Sequence, residues 1–280
     1  MEEHINRIRT DGWTVIEGII PEEKVETYKA EFYRVAREND IGSSLSGVVF
    51  IPSVINFYQK IAEHLADPRI MEVVEALLGE NSKVSFTSAI INEPGNERGA
   101  WHADWPFNAR NAGCIRAPYP DGIFHLTALW MLSPFSAENG GTLVVPKSHF
   151  KSTNPTYWSV EEASKAIEGE FNASGPAGAV LLIDSRLWHA TSTNHSDKPR
   201  VSFVNRYAPW WLNLNILKPG SLERRMMVDE PGKKDNHVPA IKKEVYDNIP
   251  AVAQPLFLFS GSSKDTNSLI FNRTVITVRI

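Results

Sequence analysis

The chain has 280 residues, 42% of them hydrophobic and 22% charged, with a formal net charge of −4. That composition excludes a largely disordered or fibrous chain, and it supplies no broad basic field for a polyanion, so a nucleic-acid partner is not expected. Its single cysteine, Cys114, permits neither an intrachain disulfide nor a thiolate metal cluster and reads as a small buried hydrophobe.

The N-terminus MEEHINRIRTDGW lacks the apolar stretch of a secretory signal, and no apolar run reaches the roughly 20 residues that span a bilayer. A soluble protein of the cytoplasm, with no membrane partner, is the expectation. GWTVIEGII (12–20) is β-branched and alternating, and predicts a strand. Pro21 then opens a helix with Glu22 and Glu23 in its first turn, and Val25, Tyr28, Phe32 and Val35 give it one apolar face. A second helical stretch is expected over 53–64. A third starts at the cap Asp67-Pro68 and ends at Gly79.

Beyond residue 83 the period shortens. KVSFTSAII (83–91), FHLTALWML (124–132), GTLVVP (141–146), AGAVLLID (177–184) and RVSFVNRYA (200–208) are short β-rich runs separated by turn formers. With helices gathered at about 21–80 and strands at about 83–208, the expected fold is mainly β with flanking helices: a jelly roll, cupin-like, in one domain over 1–280. Residues 212–280 form a C-terminal extension with no diagnostic motif. The connections 106–122 and 147–176 are long enough to serve as substrate loops.

GAWHADWPF (99–107) sets His102 and Asp104 two residues apart. With 8 His and 33 acidic residues in 280, roughly one His-x-acid pair arises by chance, and His195-Ser196-Asp197 is a second. The second lies in a polar, turn-forming run and reads as a solvated loop. In WHADW, strand alternation would place both side chains on one face, suited to a metal. A third ligand is needed, and His189, just after the apolar run LLIDSRLW, is the candidate; its alternative is a hydrogen-bonded histidine at a strand end. Two histidines and a carboxylate form the facial triad of non-haem Fe(II) oxygenases, whereas a closed structural zinc site would want cysteines. Arg200 and Ser202 share a face in PRVSFVNRY, where a guanidinium and a hydroxyl could grip a carboxylate such as that of 2-oxoglutarate; a surface ion pair is the plainer alternative.

Residues 10 to about 211 resemble the phytanoyl-CoA dioxygenase family of Fe(II)/2-oxoglutarate-dependent oxygenases. The resemblance is carried by DGWTVIEGIIPEEKV, WHADWPF, TALWMLSPFSAENGGTLVVPKSH and GAVLLIDSRLWHATSTNHSDKPRVSFVNRYAPWW, in that order. It implies a double-stranded β-helix with His102, Asp104 and His189 as catalytic metal ligands on Fe(II), and Arg200, with Ser202 and Thr127, binding 2-oxoglutarate. It also implies O2 as co-substrate and hydroxylation, desaturation or ring formation at an unactivated C–H bond of a small organic molecule, with secondary metabolism as a setting. The carboxylate Asp104 favours oxygenation over halogenation. Lys147 departs from the family, which commonly has glycine there.

Trp101, Trp105, Phe107, Trp130, Trp188, Trp210 and Trp211 flank the ligand segments, and Trp105, Phe107, Trp130 and Trp210 are the candidate substrate contacts, about half of this aromatic set being expected in core or rim. Arg110 and Arg116 read as solvated charges, with an anionic substrate group as the alternative. No feature singles out a coenzyme A thioester. Two competing readings remain open: a cupin-like metal enzyme that does not use 2-oxoglutarate, and a non-catalytic jelly-roll binding module. The oligomeric state is not legible.

Overall fold

The computed structural model describes residues 1–104, 115, 121–212, 217–233 and 241–257. Among them, a helix α1 (Glu2–Asp11) precedes strand β1 (Trp13–Ile16), and α2 (Glu22–Glu38) follows. Strand β2 (Val48–Pro52) leads through 3-10 turns at Val54–Asn56 and Lys60–Ala66 into α3 (Pro68–Leu78). The strands β3 (Lys83–Asn92), β4 (Leu126–Met131), β5 (Thr142–Val144), β6 (Phe171–Ala173), β7 (Val180–Asp184), β8 (His189–Thr191) and β9 (Arg200–Ala208) then follow.

Local chemistry fixes several boundaries. The Asp67 side chain accepts a hydrogen bond from the Arg69 amide and caps α3, and Pro68 takes the first-turn position where no amide partner is missed. Gly12 ends α1 at φ 88°, a conformation that L side chains adopt only with strain. A side chain there would also run into Leu187 and His149, the nearest atom at 2.5 Å. The helical stretch expected over 53–64 is two short 3-10 segments. Helix α1 and strands β2, β6 and β8 were not anticipated.

Two antiparallel sheets make up the body. One has the order β1-β7-β4-β9-β3-β2, the other β6-β5-β8. This is the jelly-roll architecture expected, a double-stranded β-helix backed by helices. Strand alternation divides the side chains between two layers. Ala128 and Trp130 of β4, Val180 and Leu182 of β7 and Val201 and Phe203 of β9 pack against α1–α3 in one core. Their neighbours Leu129, Met131, Leu181, Ile183 and Val204 point the other way, into a second core that Val144 and Ala173 complete from the small sheet. A third cluster, Trp101, Ala103, Leu143, Val145, Trp188 and Ala190, lies on the small sheet and its flank. No helix among the described residues is long and apolar enough to cross a membrane.

Candidate metal centre and co-substrate pocket

His102 and His189 meet as an isolated antiparallel bridge, with the His102 amide donating to the His189 carbonyl at 3.1 Å and the His189 amide returning to His102 at 2.9 Å. The continuous strand expected through WHADW is therefore a single bridge. The same end is reached because the Asp104 amide donates to the Ser185 carbonyl at 2.8 Å, which pins the segment to the end of β7. Alternation about His102 sends Trp101 and Ala103 into the outer cluster and the imidazole inward; about His189 it does the same with Trp188 and Ala190.

This answers what the two tryptophans do. Trp101 Nε1 donates to the Lys165 carbonyl at 2.8 Å and Trp188 Nε1 to that of Thr153 at 3.2 Å, so they anchor the ligand segments from behind. Arg98 adds a two-pronged ion pair to Glu170 at 3.0 and 2.6 Å.

One ligand atom from each of His102, Asp104 and His189 lies within 4.8 Å of the other two. His102 Nε2 is 3.9 Å and His189 Nε2 is 3.7 Å from the Asp104 carboxylate. Each Nδ1 faces a carbonyl at 2.9 Å, of Ala100 and Leu187 respectively. A carbonyl only accepts, so Nδ1 carries the proton and Nε2 presents its lone pair toward Asp104, the arrangement that orients a metal-binding imidazole.

Burial, aided by the nearby His102, pushes His189 down to about 4, which keeps it neutral near pH 7. Burial alone would raise Asp104. The Arg206 guanidinium, His189, His102 and the Thr127 hydroxyl together outweigh it, Arg206 most of all, and the carboxyl is held far below the ordinary range. Two imidazole Nε2 atoms turned toward one ionised carboxylate fit a divalent first-row metal with open positions.

Four side chains that sequence reasoning missed, Arg206, Ser185, His125 and Ser85, support this carboxylate, Arg206 directly and the others through Thr127. Arg206 pairs with Asp104 Oδ1 through Nη2 and stacks on Phe86, its guanidinium 4.4 Å from the ring centre. Thr127 donates to Oδ2 at 2.6 Å, and behind Thr127 stand Ser185 at 2.9 Å, His125 at 2.8 Å from Ser185, and Ser85 at 2.7 Å from His125. Arg206 was within reach of the pattern: Arg200, Ser202, Val204 and Arg206 are one face of β9. The His125–Ser185 pairing joins the start of β4 to the end of β7, and no local spacing announces it.

A cavity of about 210 Å³ opens beside the triad, lined by Phe86, Ile90, Leu129 and Val204 and by Thr127, Arg200 and Arg206 among others. Arg200 is 2% exposed, and burial lowers it to about 9. Its guanidinium lies 4.5 Å from the Phe135 ring centre, and Nη1 donates to Ser202 Oγ at 3.2 Å. No carboxylate pairs with it among the described residues, and its Nε, like Ser88 Oγ on the same cavity, is buried without a partner.

The remaining expectations divide. Thr127 lines the cavity, with its hydroxyl directed to Asp104. Ser202 is fully buried behind Arg200 and supports it. Trp130 is not at the cavity: it faces the helical layer, where Nε1 donates to Asn205 Oδ1 at 2.6 Å, because an even position on β4 points away from the odd positions Thr127 and Leu129. Trp210 is 65% exposed and does not line the cavity, because it follows the end of β9. Trp105, Phe107, Arg110, Cys114 and Arg116 lie outside the described residues. His195 and Asp197 are exposed, as a solvated loop requires.

The model of the phytanoyl-CoA dioxygenase family matches residues 8–202, well over half of the chain. The chain belongs to the phytanoyl-CoA dioxygenase family. Dioxygenase af480 of Aspergillus fumigatus is 25% identical over 69% of this chain and 62% of its own length. A probable alpha-ketoglutarate-dependent hypophosphite dioxygenase of Stutzerimonas stutzeri is 26% identical over 64% of this chain and 62% of its own. The chain thus spans somewhat less than two thirds of these two relatives. Among solved structures, HygX from Streptomyces hygroscopicus with nickel and 2-oxoglutarate bound superposes with a TM-score of 0.60 at 16% identity, covering 76% of this chain and 88% of HygX. That likeness establishes the shared fold.

Proposed function

We propose that this member of the phytanoyl-CoA dioxygenase family is a non-haem Fe(II)/2-oxoglutarate-dependent dioxygenase that oxidises a C–H bond of a small organic molecule in secondary metabolism. The observation that carries the reading is Arg200. A guanidinium removed from water without a counter-charge is costly, and it is retained where an anion completes it. It shares a cavity with His102, Asp104 and His189.

His102 Nε2, Asp104 and His189 Nε2 would hold the metal, and Arg200 would receive the distal carboxylate of 2-oxoglutarate, with Ser88 Oγ as a further donor. Bound there, ferrous iron supplies the oxidation, using O2 and the conversion of 2-oxoglutarate to succinate and CO2 to insert oxygen into the substrate. The chain's own part is positional. Thr127 and Arg206 fix the rotation of the Asp104 carboxylate, the two carbonyl-bound Nδ1–H groups fix both imidazoles, and Phe86, Ile90, Leu129 and Val204 shed water from the cavity. A cupin-like enzyme without 2-oxoglutarate would have the same triad and leave Arg200 uncompensated.

The support from relatives is consistent: the Stutzerimonas protein is named as alpha-ketoglutarate-dependent, and HygX has been crystallised with nickel, 2-oxoglutarate and hygromycin B, a small-molecule ligand. The test is anaerobic titration of the Fe(II)-loaded protein with 2-oxoglutarate, read by the metal-to-ligand visible band. The band is expected in the wild type, and Arg200→Ala should weaken 2-oxoglutarate about 10- to 100-fold, the range of a lost charged hydrogen-bonding group. Asp197→Ala, in the exposed loop, should leave the titration unaltered. No band in the wild type, or equal weakening in both variants, would overturn the reading.

A further inference from the structure

The ionisable side chains lining the described cavity are His102, Asp104, His189, Arg200 and Arg206. Their charges decide what else the cavity holds. With the histidines neutral, a ferrous ion (+2), a doubly ionised 2-oxoglutarate (−2), Asp104 (−1) and Arg200 (+1) sum to zero. That is a balanced set, and Arg206 is outside it: with Arg206 the charges sum to +1. The ion pair between Arg206 and Asp104 does not alter the count, since it only assigns Asp104 to a different cation and leaves the surplus elsewhere.

The sequence that directly follows Asp104 supplies no acidic residue to offset the surplus. Residues 105–120, which continue from Asp104, contain Arg110 and Arg116 and no Asp or Glu. Nor is Arg206 saturated. Among the described residues its side chain makes one hydrogen bond, through Nη2 to Asp104, and its Nε is buried without a partner. Its side chain keeps 24% of its exposure, and it lines the cavity with its guanidinium 4.4 Å from the Phe86 ring centre. A guanidinium seated over an aromatic ring at a cavity wall, with one amino group committed to Asp104 and Nε left without a partner, is a receptor for an oxyanion.

From this we infer that the substrate is a small molecule bearing an oxyanion, a carboxylate or a phosphonate-type group, and that Arg206 is the residue selecting for it. The inference rests on the dioxygenase reading, since the count includes the metal and 2-oxoglutarate. Apolar Phe86, Ile90, Leu129 and Val204 would then receive the hydrocarbon part, so that the anion on Arg206 sets which carbon is presented to the metal.

The test uses three probes of similar size on the Fe(II)- and 2-oxoglutarate-loaded protein without O2: acetate, methylphosphonate and acetamide, at constant ionic strength. Thermal melting reads binding, and the visible band, recorded in every sample, reads retention of 2-oxoglutarate. Acetate or methylphosphonate should raise Tm by about 2–4 °C near ten times its Kd, with acetamide giving no rise and the band retained. The larger of the two anion responses names the head group. Arg206→Gln should erase the difference between anion and amide, and Arg206→Lys, which keeps the charge, should restore part of it. Equal responses to acetate, methylphosphonate and acetamide in the wild type, or an unchanged anion response in Arg206→Gln, overturn the inference while the band still stands. A wild type without the band instead overturns the dioxygenase reading itself.

Discussion

Arg200 shows how a residue can be chosen against stability. Its side chain is 2% exposed, its Nε lacks a partner, and among the described residues its guanidinium hydrogen-bonds only to Ser202. Replacing a buried charge that lacks an ionic partner by an apolar chain of similar length removes a desolvation cost, so Arg200→Met should stabilise the ligand-free protein by about 1–4 kcal/mol. Urea unfolding measures this, and the same variant should fail the 2-oxoglutarate titration. A destabilised Met variant would mean that Arg200 is a structural member of the core. Two neighbours mark the limits of residue-level reading. Trp130 reads as a substrate wall by its nearness to the ligand segments, yet strand parity sends it into the helical core. Arg206 passes unremarked two positions after Val204, although the same parity puts it on the face of Arg200. Both were decided by which face of a strand looks inward, which one sequence reveals only once a neighbouring position is placed.

At the scale of elements, the β-rich runs were legible because five of them carry enough buried residues for a pattern. β6 (Phe-Asn-Ala) and β8 (His-Ala-Thr) are as short as β5 but lack the β-branched run GTLVVP that marks β5, and their pairing with β5 depends on contacts far along the chain. The turns carry their own energetic signature. Lys147, at φ 65°, occupies a left-handed position in the tight turn after β5, its amide bonded to the Asp11 carbonyl at 3.0 Å. The strain is about 1–2 kcal/mol, partly offset by the greater freedom glycine would gain when unfolded, so Lys147→Gly should stabilise by about 0.5–1 kcal/mol. Gly178 is the converse case. It has φ 84°, its carbonyl accepts from the Ile19 and Ile20 amides, and a Cβ there would stand 2.3 Å from the Ile20 carbonyl oxygen. Gly178→Ala should cost about 2 kcal/mol or more and loosen the approach to β7. Paired denaturant curves check both; the same sign for the two substitutions would contradict the turn geometry.

For the whole molecule, buried histidines couple folding to acidity. Burial lowers His125 to about 3 and His189 to about 4, the Arg206 charge adding to the first and His102 to the second; burial also lowers His4, His64 and His149. Unfolding returns each ring to the ordinary histidine value near 6.5. The sign follows directly: above that value neither state is protonated and nothing is lost, whereas below it the unfolded chain takes up protons that the folded rings refuse. Stability is therefore intact above about pH 6.5 and falls as the pH drops toward 4. His125 and His189, being almost fully enclosed, each contribute a slope approaching about 1.4 kcal/mol per pH unit in that window. The metal-free protein should accordingly lose stability between pH 6.5 and 4.5 with a slope of more than one proton, measured by urea unfolding across that range. Bound metal adds to the dependence, since a metal-held His189 must stay unprotonated, so adding Fe(II) without O2 should raise stability at pH 7 and lose that effect in acid. A flat profile from pH 7 to 4.5 would show that the two rings are charged in the folded protein, and then neither the His125–Ser185–Thr127 chain nor a metal-ready His189 would have the protonation that its hydrogen bonds require.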